Sequence, residues 1–257
     1  MAIHSLPWSV PANINAFYTS RTDGFGSPPY DSFNLAHHVS DSEDTVLKNR
    51  EKLQSLVPKA RHWQWLEQVH GTEVLLIDDA NALSQQELTA DGLVCRVPGV
   101  VCCILTADCL PVFFADRWGR EVAIAHAGWR GLAGGILEAT ISKMDAEVED
   151  VVAYLGPAID PCHFEVGAEV LKEFLSEPAE PENQLEVMAC FSKVRGSEPP
   201  EQKYLADLYA LASQRLKRLG VTQISGGDSC TVCQQETFFS YRRDGETGRM
   251  LSAISFE

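Results

Sequence analysis

The chain has 257 residues, 45% of them apolar and 22% charged, which is ordinary for a globular protein with one large core or two small ones. Its 21 basic and 36 acidic residues leave a net charge of −15, which argues against a nucleic-acid or anionic-membrane partner, because both call for a basic surface. No stretch approaches the roughly 18 apolar residues that span a bilayer. The opening MAIHSLPWSVPANINAF lacks the basic start and apolar run of a signal peptide, so a cytoplasmic location is expected.

In chain order, short runs rich in Val, Ile, Phe and Trp predict strands at 14–20, 63–69 and 74–78. A helix over 43–56, with Ser42 as its N-cap, separates the first two. Four strands follow in succession at 92–96, 100–106, 111–116 and 121–125, before a helix over 132–144. A strand at 151–155 and a helix over 167–175 come next. Segment 177–201 is rich in Pro and Glu and reads as a surface excursion, because regular patterns resume after it. They are a helix over 204–219 closed by Gly220, a strand at 221–225 and another at 250–256. Four strands without intervening helices favour an α+β fold over a doubly wound parallel sheet. The expectation is a single layered domain over 1–257, with a mixed β-sheet flanked by helices. A G-x-G-x-x-G fingerprint is absent, which disfavours a dinucleotide-binding oxidoreductase.

Eight cysteines in a cytosolic chain should be mostly reduced thiols. Cys95, Cys102, Cys103 and Cys190 lie in or beside apolar runs and read as core. Cys230 and Cys233 form a C-x-x-C, normally a redox or zinc signal, but no second C-x-x-C partners it and no βαβ redox context surrounds it, so a metal or redox site is the minor reading here.

Chemistry concentrates in three segments, WLEQVHG (65–71), LTADCLP (105–111) and AHAGWRG (125–131). In each, an apolar run delivers a reactive side chain (His70, Cys109 or His126) to a loop. Two imidazoles and a thiolate suit zinc, and three ligands with an open position are the pattern of a catalytic zinc. Against this, a His at a strand end is ordinarily just hydrogen-bonded and a lone Cys is ordinarily core. Spacings of 39 and 17 residues match no local metal motif, so the residues alone leave both readings open. A third reading makes Cys109 a nucleophile with His126 as its base, excluding a metal at the same moment.

These segments strongly resemble the laccase-domain family, also called YfiH-like or multicopper polyphenol oxidase-like proteins. The matching pieces are TSRTDG (19–24), PPYDSFNL (28–35), LEQVHG (66–71), TADCLPV (106–112), HAGWRGL (126–132), LGPAI (155–159), FEVG (164–167) and FFSYRRD (238–244). They cover nearly the whole chain. The resemblance implies His70, Cys109 and His126 as metal ligands, with purine nucleoside and inorganic phosphate as substrates. The activities it implies are purine nucleoside phosphorolysis, methylthioadenosine phosphorolysis and adenosine deamination. One departure is Asp23-Gly24 after Arg21-Thr22, where the family often has Gly-Gly.

On this reading the catalytic residues are Cys109, His126 and Arg130. Arg130 is the first candidate to grip phosphate, through a planar guanidinium beside a helix-opening turn at 128–131, and Arg21 is the second, on the family match. Deamination would call on a metal-activated water and a carboxylate to move its proton, with Asp91, Asp108 and Glu67 as candidates. Arg242 and Arg243 read as structural, with lining the pocket as the alternative for either, Trp129 as equally suited to stacking on a purine or to packing, and His37, His38, His62 and His163 have no assigned partner. Copper could replace Zn2+ at the same ligands. A multicopper oxidase centre, though, needs about ten His ligands, largely in His-x-His pairs, whereas this chain has seven His and no such pair. Alternatives to the nucleoside enzyme are a Cys–His amidohydrolase editing a peptidoglycan precursor, a copper-dependent polyphenol oxidase, and a non-catalytic partner protein that keeps the metal for stability.

Overall fold

The computed structural model describes residues 2–80, 83–84, 86–176 and 181–257. The strands are β1 (Ile3–Ser5), β2 (Ile14–Thr19), β3 (His62–Gln64), β4 (Leu66–Glu67), β5 (Val74–Ile77), β6 (Leu88–Thr89), β7 (Gly92–Cys95) and β8 (Val100–Thr106). They continue as β9 (Leu110–Asp116), β10 (Val122–Ala127), β11 (Val151–Leu155), β12 (Glu165–Gly167), β13 (Phe191–Lys193), β14 (Lys203–Ala206), β15 (Gln223–Gly226) and β16 (Met250–Phe256). The helices are α1 (Glu43–Leu56), α2 (Trp129–Gly134), α3 (Ile136–Lys143), α4 (Ala168–Leu175), α5 (Pro181–Ala189), α6 (Leu208–Leu219) and α7 (Tyr241–Asp244).

Two mixed sheets carry the fold, in the orders β1-β2-β16-β8-β3 and β15-β11-β9-β10-β7-β5. In the first only β3–β8 is parallel; in the second the outermost pairs, β15–β11 and β5–β7, are parallel. Every residue of β8, β9, β10 and β16 is buried, which explains their unbroken apolar runs. Alternation still sorts their side chains. Val100, Cys102 and Ile104 of β8 meet Phe113 and Ala115 of β9 and Val122 and Ile124 of β10 in a core between the sheets. Val101, Cys103 and Leu105 face outward, toward Leu53 of α1 and the loop residues Phe33 and Leu35. The outer face of the six-stranded sheet (Val112, Phe114, Ala123, Ala125) packs on α2, α3, α4 and α6. The layers therefore run helix, sheet, sheet, helix, an α+β arrangement as expected but with two principal sheets in place of one. No helix among the described residues is long and apolar enough to cross a membrane.

Several expected elements change at their ends for local reasons. The helix expected over 132–144 is two, α2 and α3, broken at Gly135, whose φ of 95° ends one and begins the other. The helix expected from 204 starts at Leu208, because 203–206 pairs as β14 between β12 and β13. Asp207 caps it by accepting from the Ala210 N–H at 2.9 Å. Ser42 stands at the α1 N-cap position, but its side chain makes no capping hydrogen bond. The expected excursion at 177–201 includes α5 and β13, and sends Val187, Cys190 and Phe191 into the helical core. Residues 177–180 of it lie outside the described residues. Asp23 takes a left-handed φ of 67°, a conformation that Asp tolerates better than most side chains.

Ile104 is fully buried where the two sheets meet. Ile104→Ala should therefore cost about 2–5 kcal/mol of stability, read as a lower urea midpoint at unchanged slope.

Candidate metal centre and cleft

Successive strands β7, β8, β9 and β10 belong in turn to the six-stranded, five-stranded, six-stranded and six-stranded sheets. Residues 107–109 are thus the crossing from one sheet to the other, and Cys109 sits at its end. His126 follows Val122 and Ile124 on the inter-sheet side of β10, at the strand's open end. His70 ends the segment after β4, with a φ of 60°. Asp108 is also left-handed, with a φ of 98°. Two such residues beside one cluster indicate a backbone held by its surroundings.

The ligand atoms of His70, Cys109 and His126 all lie within 4.8 Å of one another. Cys109 Sγ is 3.7 Å from His70 Nε2. The two imidazoles meet edge to face, with centroids 4.7 Å apart. Behind them stands Asp91, fully buried. Its Oδ1 is 2.8 Å from His126 Nδ1 and accepts from the His70 N–H at 2.9 Å. Its Oδ2 accepts from the N–H groups of Gly71 at 2.6 Å and Val69 at 3.2 Å. With Nδ1–H donated to Asp91, His126 presents Nε2 to the cluster, the outer-shell arrangement that fixes a metal-binding imidazole. The donor set fits a borderline-soft divalent metal such as zinc.

Electrostatics agree with that grouping. Burial pushes the Cys109 thiol upward, but the charge and hydrogen bond of His126, with the hydrogen bond of His70, outweigh it and bring the group down to about 6. Burial pulls His126 down, and Cys109 and Asp91 outweigh it, raising the imidazole to about 9.

The cluster opens into a cleft of about 710 Å³, a size that accommodates a nucleoside. Beyond the triad, its walls include Glu67, His38, Glu87, Tyr241 and Arg249. Arg249 was missed by sequence reasoning. It is half-buried, and its guanidinium donates to the carbonyls of Thr247 and Gly248 at 2.8 and 3.0 Å. Burial lowers its pKa, and the nearby Cys109 and Asp108 act the other way. Nothing in the local pattern GETGR marks this arginine.

The two arginines chosen from sequence are elsewhere. Arg130 is exposed, stacks over the Trp129 ring at 4.3 Å, and is not among the described residues lining the cleft. Trp129 packs on the helical core. Arg21 lines a separate cavity of about 550 Å³, where it is bound to the Asp31 side chain at 3.1 Å and to the carbonyls of Asp31 and Gln235. The glycines of 128–131 serve close packing. A Cβ on Gly128 would lie 2.9 Å from His70 Cδ2 and 3.1 Å from Cys109 Sγ, and one on Gly131 would lie 2.8 Å from the Gly71 carbonyl.

Of the three candidate carboxylates, Asp91 is committed to His126 and three backbone N–H groups. Asp108 is committed to Thr231 Oγ1 and the Arg242 N–H, both at 2.6 Å. Glu67 remains, exposed in the cleft wall with one oxygen accepting from Thr89 Oγ1 at 2.7 Å. Arg242 and Arg243 are structural, as read, each gripping backbone carbonyls. The C-x-x-C does have partners, since Cys162 and His163 lie against it.

Residues 15–257 match the family described as multi-copper polyphenol oxidoreductase laccase. The chain belongs to this family. A relative from Escherichia coli strain K12, named purine nucleoside phosphorylase YfiH, is 46% identical over 247 residues, 96% of each chain. A Haemophilus influenzae relative, named purine nucleoside phosphorylase, is 44% identical over 252 residues, 97% of each. A crystal structure of a Neisseria meningitidis protein, 43% identical, superposes with a TM-score of 0.89 over the whole of both chains. Despite the family's description, the described residues of this member bring only two of its seven histidines into the cluster, too few for several coppers.

Asp91→Asn keeps the shape of the group but weakens its hold on His126. It should lower metal affinity by roughly 10- to 100-fold, measured by competition with a chromogenic chelator. Gly128→Ala, which drives a methyl between His70 and Cys109, should weaken binding as well.

Proposed function

We propose that this chain is a metal-dependent purine nucleoside phosphorylase working at His70, Cys109 and His126, with associated methylthioadenosine phosphorolysis and adenosine deamination. The observation that carries it is near-full-length identity of 46% to a relative named for that activity, joined to a three-ligand cluster that opens into a nucleoside-sized cleft. Zinc is the metal the donor set favours, with copper able to replace it.

In phosphorolysis, an oxygen of inorganic phosphate bonds to the ribose anomeric carbon as the bond from that carbon to the purine nitrogen breaks. The base leaves with the bonding pair and takes up a proton. Arg249, half-buried in the cleft wall, is the group placed to hold the phosphate, because a guanidinium grips two oxygens at once and partial burial strengthens the attraction. It takes the role first given to Arg130. Asp91 keeps His126 in one tautomer and orientation throughout. A metal held by the triad would supply positive charge against the departing or attacking group. In deamination, water adds to the amino-bearing ring carbon and ammonia leaves, and Glu67, the one of the three candidate carboxylates that lines the cleft, would carry the proton.

One observation favours a second reading. Cys109, His126 and Asp91 are arranged as nucleophile, base and orienting carboxylate, with the thiol already lowered to about 6. That is the machinery of a Cys–His amidohydrolase acting on a peptidoglycan precursor. The metal separates the two, since a metal-bound thiolate attacks poorly.

Zinc-loaded protein incubated with adenosine, with and without phosphate, should release adenine only when phosphate is present, and Cys109→Ala should release none. Inosine formed without phosphate would report the deaminase branch. If neither product appears, and a thiol alkylating agent abolishes amide hydrolysis that chelators leave intact, the amidohydrolase replaces the phosphorylase. Within the phosphorylase, Arg249→Gln should lower kcat/KM for phosphate by roughly 100-fold, while Arg130→Gln stays within about twofold.

A further inference from the structure

Residues 158–164 form a turn built on Asp160. Its Oδ1 accepts from the Cys162 N–H at 3.2 Å, and its carbonyl accepts from the N–H groups of His163 and Phe164 at 3.0 and 3.1 Å. The turn presents Cys162 and His163 side by side at the surface. Facing it is the Cys230–Cys233 turn, anchored by a parallel bridge between Ala158 and Cys230. The three sulfurs of Cys162, Cys230 and Cys233 all lie within 4.8 Å of one another. Cys162 and Cys233 sulfurs are 3.7 Å apart, and His163 Nε2 is 3.2 Å from the Cys233 sulfur.

These spacings select among the chemistries that clustered thiols allow. A disulfide places its sulfurs about 2.05 Å apart. Four ligands around zinc, with bonds of about 2.3 Å to sulfur, place two sulfurs about 3.8 Å apart along a tetrahedral edge. The observed 3.7 Å excludes a disulfide and matches that edge, a spacing that two reduced thiols in contact also have. The Cys233 N–H also points at the Cys230 sulfur, at 3.4 Å, a donor that favours a thiolate there.

We propose that Cys162, His163, Cys230 and Cys233 form a second, structural zinc site, distinct from the cleft. The three clustered thiolates fill three positions, and the His163 imidazole, which lies beside Cys233 and outside the sulfur cluster, would swing in as the fourth and close the site. Three thiolates around a dication leave one net negative charge. Arg242 and Arg243 brace the two loops: one donates to the His163 and Glu165 carbonyls, the other to the Thr231 and Val232 carbonyls.

The consequence reaches the cleft. Ile159, in the first loop, donates its N–H to the Asp108 carbonyl at 2.9 Å, and Thr231, inside the C-x-x-C, donates its hydroxyl to Asp108 Oδ1 at 2.6 Å. Both loops that the zinc would staple therefore hold the left-handed residue preceding Cys109. Zinc at the outer cluster is a positioning device for the cleft thiolate.

Cys109→Ala isolates the second site, because it removes the only sulfur of the first cluster. Isolated without chelators, this variant should retain about one zinc per chain by mass spectrometry of the metals. Titration of its metal-stripped form with Co2+ should give a thiolate-to-cobalt charge-transfer band. His70 and His126 carry no sulfur, so that band reports the outer cluster alone. Adding Cys162→Ser and Cys233→Ser, both at exposed positions, should abolish the band and the retained zinc. The proposal is overturned if Cys109→Ala neither retains zinc nor gives the band, or if freshly isolated protein carries a Cys162–Cys233 disulfide. Neither outcome depends on nucleoside activity, nor on whether the serine variants fold.

Discussion

Asp91 has no exposed surface, and its two carboxylate oxygens make hydrogen bonds to the backbone N–H groups of Val69, His70 and Gly71 and to the His126 ring. Burying a carboxylate is costly unless every lone pair is matched. Here burial pushes its pKa up, but His126 and the Gly71 and Val69 N–H groups more than offset that and leave it lowered. The same contacts fix the left-handed turn at His70 and the tautomer of His126 in one stroke. Two of the three candidate ligands are therefore oriented by a single ionised group, and the third, Cys109, is drawn toward the thiolate form by the imidazole that Asp91 supports.

Placing that thiol requires the chain to change sheets. β8 pairs with β16 and β3 in one sheet, while β7, β9 and β10 belong to the other, so the 107–109 crossing lands at the open end of both. The shared core below it leaves little room for the crossing to shift, since the neighbouring strands are buried on both faces. The glycines at 128 and 131 complete the arrangement by letting α2 approach the His70–Gly71 turn more closely than a side chain permits. Asp108 does the corresponding work on the far side, binding Thr231 and the first turn of α7. A cleft residue and an outer surface cluster are thus two hydrogen bonds apart.

Much of the architecture was legible because burial on both faces writes itself into composition. The runs at 100–106, 151–155 and 250–256 match their strands residue for residue. Errors fell where tertiary pairing overrode local preference. Lys203–Ala206 has helical neighbours yet pairs as a strand, and 177–201 has the composition of a loop yet contributes Val187 and Phe191 to the core. The two arginines chosen from sequence lie outside the cleft wall for a different reason. Arg130 stands near His126 in sequence and Arg21 rested on the family match, but side-chain direction decides what a guanidinium reaches. Arg249, far beyond every candidate ligand in the chain yet in the wall of the cleft, carried no signal at all.

By itself, the sequence determined the longer buried strands and main helices, the α+β class, the family, and the two imidazoles and one thiol of the cluster, but not the short strands β1, β4, β6 and β12–β14 or the helices α5 and α7. It did so because apolar periodicity and a distinctive set of short motifs are properties of the chain alone. Only the tertiary structure decided that Asp91 and not Asp108 faces His126, that Arg249 lines the cleft, and that Cys162 and His163 complete the C-x-x-C. Each of those depends on contacts between segments tens of residues apart, where direction and distance are set by sheet pairing and packing and leave no local trace in composition or spacing.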